Sequence, residues 1–126
     1  MKKSILSTNT APGAIGPYSQ AVAAGGMLYI SGQIAINPEN GKIEAEDLKG
    51  QTEQVMKNLQ AVLNFADLNF KNVVKSTIFL APDQDFATVN AIYGARFTGN
   101  YPARETVWVN ALPKNVLVEI SMIAVV

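Results

Sequence analysis

The sequence predicts a single α+β domain with one sheet and two helices on one face of it. Three observations support this prediction. The chain has 126 residues, which suits one hydrophobic core. Strand-like and helix-like segments follow one another in the order strand, strand, helix, strand, helix, strand, strand. No low-complexity linker or internal repeat divides the chain, so residues 1–126 are taken as one domain.

The N-terminal part of the chain is predicted to form a β-hairpin. Residues 17–24 and 27–36 are both rich in strand-forming residues. Gly25-Gly26 between them is a typical two-residue hairpin turn. The polar segment 37–42 contains proline, asparagine and glycine, which predicts a loop after the hairpin.

Two helices are predicted on either side of a strand. In residues 47–66 apolar side chains recur at helical spacing, and Asp47 is suited to cap the first turn. Residues 73–80 are rich in β-branched and aromatic side chains and predict a strand. The second helix is predicted over residues 85–98. Its apolar residues share one helix face; they are Phe86, Val89, Tyr93 and Phe97.

Two further strands are predicted to complete the sheet, over residues 104–109 and 116–126. Segments 73–80 and 116–126 are apolar at both odd and even positions, which is typical of strands buried on both faces. Two helices cover only one face of a sheet. We therefore expect the other face to pack against another copy of the chain.

Composition excludes several classes of functional site. The chain has no cysteine and no histidine, and its formal net charge is zero. Disulfides, Cys/His zinc sites, cysteine nucleophiles and Ser-His-Asp relays are therefore excluded. Acid–base chemistry must come from Asp, Glu, Lys, Tyr, water or the backbone, and we expect no metal.

Charge and hydropathy also limit the partners that we expect. Beyond Lys2-Lys3 the sequence shows no cluster of basic residues, so we expect no nucleic-acid partner. The N-terminus lacks the apolar region of a signal peptide, and no apolar run approaches the length of a membrane span. We expect a cytoplasmic protein with no membrane partner.

Two charged residues are candidates for chemistry. Arg104 begins a predicted strand, where its planar guanidinium matches a carboxylate; the alternatives are a solvated arginine or an internal ion pair. Glu119 lies in an apolar run, where burial raises the pKa of a carboxyl group and suits it to proton transfer. Its alternatives are a solvent-facing position on an edge strand or a structural ion pair.

Several polar or glycine-containing positions are weaker candidates. Tyr18 follows Gly16-Pro17, and Ser31-Gly32 lies within the second strand, so each fits either a ligand site or ordinary turn chemistry. Asn90 in the second helix fits either a ligand contact or an exposed surface position. No lysine lies in an apolar setting that would suit it to Schiff-base chemistry.

Five strings along the chain carry a further signal when they are taken together. They are 14–21 (AIGPYSQA), 29–34 (YISGQI), 86–93 (FATVNAIY), 101–104 (YPAR), and 112–114 (LPK) followed by 118–120 (VEI). In this order, and over essentially the whole chain, they resemble the RidA (YjgF) family of imine and enamine deaminases.

The resemblance implies a chorismate-mutase-like fold and a homotrimer with active sites between subunits. It implies hydrolysis of 2-imino acids, such as 2-iminobutanoate and 2-iminopropanoate, to 2-oxo acids and ammonia, without a cofactor. It places Arg104 on the substrate carboxylate and Glu119 on the attacking water. The resemblance also implies a set of pocket-lining residues, namely Tyr18, Ser31, Gly32 and Asn90.

Two positions depart from the pattern of the family. Many members have Ser-Cys where this chain has Glu105-Thr106, and many have glutamate where this chain has Ser121. The family's chemistry uses the backbone at the cysteine position, so we expect Thr106 to serve in substrate binding and activity to persist. The competing hypotheses are a non-catalytic carboxylate-binding or regulatory module and a ribonuclease; the lack of histidine and of a basic track argues against the ribonuclease.

Overall fold

The structure is a computed structural model that describes residues 2–126. In chain order its elements are β1 (Lys3–Leu6), β2 (Ala21–Ala24), β3 (Met27–Gln33), β4 (Ile36–Asn37), β5 (Lys42–Ile43), α1 (Leu48–Phe65), β6 (Val73–Leu80), α2 (Phe86–Gly94), β7 (Ala103–Trp108) and β8 (Val118–Val125). The predicted α+β class with two helices is confirmed.

Six of the strands form one mixed sheet in the order β1-β2-β3-β8-β6-β7. Only the β6–β7 pair is parallel; the other neighbours are antiparallel. The predicted hairpin turn is present between β2 and β3, where Gly25 and Gly26 have φ angles of 58° and 77°. This left-handed backbone suits glycine and matches the twist of a two-residue hairpin.

Helix α1 supplies most of the hydrophobic core. The Asp47 side chain accepts a hydrogen bond from the Gly50 N–H at 2.9 Å, which confirms the predicted N-cap. The apolar stripe of the helix packs against β3 and β8. Its central residues are at most 1% exposed; they are Val55, Met56, Leu59, Val62 and Leu63.

Both helices lie on one face of the main sheet. Ser76, Ile78 and Leu80 of β6 point toward the helices and are fully buried. The alternate residues form the opposite face, which we call the open face because no helix of the described chain covers it. Its exposed apolar residues include Tyr29 (47% exposed), Val107 (41%) and Val125 (42%). Within residues 2–126 no helix is long and apolar enough to cross a membrane.

The structure corrects several predicted boundaries in the first half of the chain. Strand β2 begins at Ala21 rather than at residue 17, because Gly16 adopts a φ of 120° and the chain turns there. Strand β3 ends at Gln33, after an irregularity in its pairing with β8 between Ile30 and Gln33. Ile36–Asn37 instead pairs with Lys42–Ile43 in a separate two-stranded ribbon, so the prediction of a single sheet holds for the main sheet only.

Two other differences concern an edge strand and a helix end. The edge strand β1 was not predicted, because its four residues carry no clear alternation of polar and apolar side chains. Helix α2 ends at Gly94, four residues before the predicted end at residue 98. The Arg96 and Phe97 N–H groups bond three residues back, to Tyr93 and Gly94, so the chain winds into tighter turns there.

Candidate active site

Arg104 is held against one face of helix α2. Its Nη1 donates to Asn90 Oδ1 at 2.8 Å. Its guanidinium carbon lies 5.0 Å from the centre of the Tyr93 ring and 5.4 Å from that of Phe86. Phe86, Asn90 and Tyr93 are spaced four and three residues apart, so they form one stripe on the helix. An aromatic and amide surface therefore orients the guanidinium.

This arrangement borders a cleft of about 680 Å³, which we call the arginine cleft. Its lining residues are Asn90, Ala91, Tyr93, Gly94, Tyr101, Pro102 and Arg104. The salt bridges within residues 2–126 join Lys75 to Glu105 and Arg96 to Glu53, and neither involves Arg104. The alternative of an internal ion pair is therefore wrong for the described chain. A guanidinium with five N–H donors and no carboxylate partner is suited to binding an anion.

Thr106 lies two residues beyond Arg104 on the same face of β7, as its sequence position requires. Its Oγ1 is buried and has no hydrogen-bond partner within the described residues. The side chain does not line the arginine cleft. Within the described chain, Thr106 is therefore not brought into the arginine cleft, although it shares a strand face with Arg104.

The other predicted site residues meet in a second cleft of about 610 Å³, which we call the glutamate cleft. Tyr18, Ser31, Gly32 and Glu119 all line it. Its remaining lining residues are Pro12, Gly13, Ile15, Gln20, Gln33, Ile34, Ile36, Pro113 and Lys114. The sequence predictions for these four positions thus converge on one place in the fold.

Glu119 is half-buried on β8, an inner strand between β3 and β6. The alternative of a glutamate on an edge strand is therefore wrong. Burial of the side chain raises the pKa of the Glu119 carboxyl group above its ordinary value. A methyl group at Gly32 would lie 2.9 Å from Glu119 Cδ, so the absence of a side chain at Gly32 leaves the space that the carboxylate occupies.

Buried polar contacts hold the loop that walls the glutamate cleft. The Gln20 side chain accepts from the Thr8 N–H at 2.7 Å and donates to the Pro12 carbonyl at 2.7 Å. Ser31 Oγ donates to the Ser19 carbonyl at 2.5 Å. These bonds attach the loop to β2 and β3, and Tyr18 on the loop remains 54% exposed at the cleft.

Sequence reasoning missed part of each cleft. Phe86 and Tyr93 were predicted only to share the apolar face of the second helix, although their spacing with Asn90 was the available signal for a shared surface. Tyr101 also lines the arginine cleft. Lys114 lines the glutamate cleft from a turn in which its φ is 56°. Nothing in the sequence indicates that this turn reaches Glu119.

The two clefts lie on opposite faces of the main sheet. Arg104 is paired with Ser76, which points toward the helices. Glu119 is paired with Phe79, which belongs to the open face. The predicted anchor and the predicted proton acceptor are therefore not brought together within one chain.

Comparison with known proteins places this chain and its fold in a family. A family model described as "Endoribonuclease L-PSP" matches residues 8–126. The chain is 51% identical over 120 residues to the putative regulator AldR of Lactococcus lactis, covering 95% of each chain. It is 46% identical over 121 residues to the human 2-iminobutanoate/2-iminopropanoate deaminase, covering 96% of this chain and 88% of that one. A crystal structure of YyfA, a Rid-family protein of unknown function from Yersinia pestis, matches with a TM-score of 0.96 at 50% identity, over 99% of this chain and 100% of that one.

The chain belongs to the RidA (YjgF) family. The resemblance seen in the five strings is thereby confirmed, and the α+β fold with two helices and a mixed sheet is shared with a solved Rid-family structure. Among residues 2–126 no group of three or more His, Cys, Asp or Glu side chains is placed to hold a metal ion. The polar side chains that line the two clefts carry a guanidinium, a carboxyl group, an ammonium group, amides and hydroxyls.

Proposed function

We propose that this protein hydrolyses 2-imino and 2-enamino acids, such as 2-iminobutanoate and 2-iminopropanoate, to 2-oxo acids and ammonia. The human relative at 46% identity carries the name of that activity. The chemistry of the two clefts fits it, because one offers an oriented cation for a carboxylate and the other a carboxyl group poised to exchange protons. No cofactor takes part in the proposed reaction.

In the proposed reaction, Arg104 and Asn90 bind and orient the substrate carboxylate. Water attacks the carbon of the protonated imine, a C–O bond forms, and the C=N electron pair moves to nitrogen. Glu119 accepts the proton that the water loses and returns it to the nitrogen. Glu119 then takes the remaining proton of the new hydroxyl group, the oxygen electrons form the C=O bond and the C–N bond breaks. This step releases ammonia and the 2-oxo acid, and the proton on Glu119 passes to the solvent. An enamine first takes up a proton on carbon and then follows the same course.

The single observation that carries the proposal is the separation of Arg104 and Glu119 on opposite faces of one sheet. A site that uses both residues must combine the arginine cleft of one copy with the glutamate cleft of another. The exposed apolar residues of the open face supply a surface for such an association. We propose a homotrimer with active sites between adjacent subunits, in which Tyr18, Ser31, Gly32 and the Thr106 backbone complete the pocket.

Complementation between two inactive variants tests this arrangement. Arg104→Ala and Glu119→Gln are purified separately, and each is expected to lose most activity. The assay couples a threonine dehydratase to semicarbazide, which traps the free imine that the deaminase would otherwise remove. When the two variants are unfolded together in equal amounts and refolded, random mixing in a ring places an intact Arg104 beside an intact Glu119 at about a quarter of the interfaces. About a quarter of the parent activity should therefore return.

The control is to refold each variant alone and then mix the two without exchange of subunits. No activity should return in that sample. If the co-refolded sample also stays inactive while mixed oligomers are shown by mass spectrometry, both residues act within one chain and the proposed site is wrong. If Arg104→Ala alone is as active as the parent, the proposed anchor is wrong.

A second candidate function is a regulatory module that binds small carboxylates without turnover. The relative named as a putative regulator, at 51% identity, is the observation that favours it. In that case Arg104 would still bind 2-oxobutanoate. Tight binding of 2-oxobutanoate by the parent, together with no suppression of semicarbazide trapping, would favour the regulatory module over the deaminase.

A further inference from the structure

A pair of hydroxyl groups lies buried directly beneath the arginine cleft. The Tyr93 hydroxyl donates to Ser76 Oγ at 2.9 Å. Ser76 is fully buried and Tyr93 is 3% exposed. The proposed reaction uses neither hydroxyl. Two polar groups kept in the interior must bond to each other to offset their lost hydration, which makes their geometry specific.

The strand register places this pair at the base of Arg104. Ser76 on β6 is the direct neighbour of Arg104 on β7, and both point to the helix side of the sheet. Tyr93 reaches down from α2 to Ser76. Its ring is therefore fixed at one end by the helix backbone and at the other by a residue adjacent to Arg104.

The Tyr93 ring is also the nearer of the two aromatic surfaces under the guanidinium. The ring centre lies 5.0 Å from the guanidinium carbon, against 5.4 Å for Phe86. Asn90, which bonds the same guanidinium, is exposed and Phe86 is only partly buried, whereas Tyr93 is buried and bonded at its hydroxyl. Of the three partners on α2, Tyr93 is therefore the one with the least freedom to move.

The protonation state of Tyr93 favours a stable hydrogen bond to Ser76 and a fixed ring beneath Arg104. Burial raises the pKa of the Tyr93 phenol, and this effect outweighs the opposing effects of Ser76 and Arg104. The phenol therefore remains protonated at neutral pH and keeps its donor for Ser76. The uncharged ring offers the face of its π-system to the guanidinium.

We propose that Ser76 and Tyr93 are positioning residues for Arg104. Their hydrogen bond fixes the Tyr93 ring beneath the guanidinium and so sets the direction in which Arg104 presents its remaining donors to a carboxylate. The inference rests on the proposed anchoring role of Arg104. The orientation of the Arg104 side chain can nevertheless be measured without any substrate. The positioning role of Ser76 and Tyr93 can therefore be tested independently of the anchoring role of Arg104.

The first experiment is NMR of the arginine side chains in ¹⁵N-labelled protein. The chain has only two arginines, Arg104 and Arg96, so their Nε–H signals are easily separated. In Tyr93→Phe and in Ser76→Ala, the Arg104 signal should shift and rotation about its Nε–Cζ bond should become faster. Arg96 is an internal control, because its own partners are Gln60, Glu53 and the Phe70 ring.

The second experiment measures binding of 2-oxobutanoate through the fluorescence of Trp108, the single tryptophan. Its ring lies 6.2 Å from Phe86, which in turn contacts Arg104. Each single variant should bind about three- to tenfold more weakly, since one buried hydrogen bond is lost in each. The double variant should bind no more weakly than either single variant, because the same bond is lost. In the deaminase assay KM should rise more than kcat falls.

Thr52→Val is the matched control, since it also removes a buried, hydrogen-bonded hydroxyl, but on α1 and outside both clefts; its 2-oxobutanoate affinity should equal that of the parent. Thermal unfolding of every variant shows that the comparison is made on folded protein. The proposal is overturned if Tyr93→Phe lowers the unfolding temperature but leaves the Arg104 signal and the affinity unchanged. If instead Arg104→Ala binds 2-oxobutanoate as tightly as the parent while the Arg104 signal still responds to Tyr93→Phe, the anchoring role fails and the positioning contact stands.

Discussion

The arginine cleft and the glutamate cleft treat their charged residues in opposite ways. Arg104 is stacked on two aromatic rings and bonded to Asn90, so its direction is fixed. Glu119 is half-buried, and burial alone raises its pKa. A group that anchors a substrate must keep its charge, whereas a group that exchanges protons must not be too stable as an anion. The difference between the clefts is thus the difference between binding and proton transfer.

Glu119→Gln is expected to produce the largest effect on activity, because it removes the proton acceptor and keeps the shape of the side chain. We expect kcat to fall by about 10²- to 10⁴-fold, the usual contribution of a positioned acid or base. Binding of 2-oxobutanoate should change much less. Glu39→Gln on an exposed turn is the matched control and should retain parent kinetics.

Glu119→Gln is expected to lower activity but to raise the stability of the folded protein at neutral pH. The folded-state pKa of Glu119 lies above the ordinary value of 4.5, so ionisation opposes folding at neutral pH. Below the ordinary value the group is protonated in both states and the penalty is absent. Glu119→Gln should therefore unfold at a higher temperature than the parent at pH 7, and the difference should vanish near pH 4. A variant less stable than the parent at pH 7 would show that Glu119 has a favourable partner in the assembled protein.

Gly32→Ala is expected to have an intermediate effect, confined to the glutamate cleft. The added methyl group would press on the Glu119 side chain, whose flexible end must move away. We expect activity to fall by roughly ten- to a hundredfold because a misplaced catalytic group loses its geometry. Arg104-dependent binding of 2-oxobutanoate should stay close to that of the parent.

Shortening the Glu119 side chain tests whether the effect of Gly32→Ala comes from a steric clash with Glu119. Glu119→Asp should relieve the strain of Gly32→Ala, so the double variant should be more stable than the sum of the two single effects. Strictly additive effects on the free energy of unfolding would contradict a direct clash between these two positions.

The sequence was sufficient for the elements whose patterns are local. The apolar stripe of α1, its cap at Asp47 and the strand Val73–Leu80 follow from periodicity and composition, and the structure confirms them. Strand β1 and the end of α2 depend on tertiary pairing and on a change of turn type after Gly94. Neither leaves a periodic signal, so neither could be predicted.

The candidate site shows the same division. Arg104 and Glu119 could be selected from the sequence because burying an unpaired charge in a strand costs free energy, so a charged residue in a strand suggests a functional role. Their placement on opposite faces depends on strand register across β6, β7 and β8, which the sequence does not reveal. Tyr93 was predicted to lie on the apolar face of its helix, and it is indeed buried, yet its ring also lies beneath Arg104. Periodicity identifies the buried face of a helix and cannot show which polar group that face contacts.

Thr106→Val is expected to have the smallest effect on activity and a measurable effect on stability. The Thr106 hydroxyl is buried without a partner in the described chain, and valine has the same shape without the oxygen. An unpaired buried hydroxyl loses its hydration without gaining a hydrogen bond in the protein. Its removal should therefore raise the free energy of unfolding by about 1 kcal/mol. Activity should stay within about twofold of the parent, since the variant keeps the backbone on which the proposed substrate contact depends.

Thr77→Val is the matched control on the neighbouring strand. The Thr77 hydroxyl donates to Glu105 at 2.9 Å, so its removal should lower stability or leave it unchanged. Both variants are compared at equal protein concentration, because unfolding of an oligomer is coupled to its dissociation. If Thr106→Val lowers both the unfolding temperature and the activity, the hydroxyl gains a partner when copies of the chain associate. The arginine cleft would then extend past Arg104 along β7, and the contrast between the two clefts would have to include a hydroxyl that only the assembled protein satisfies.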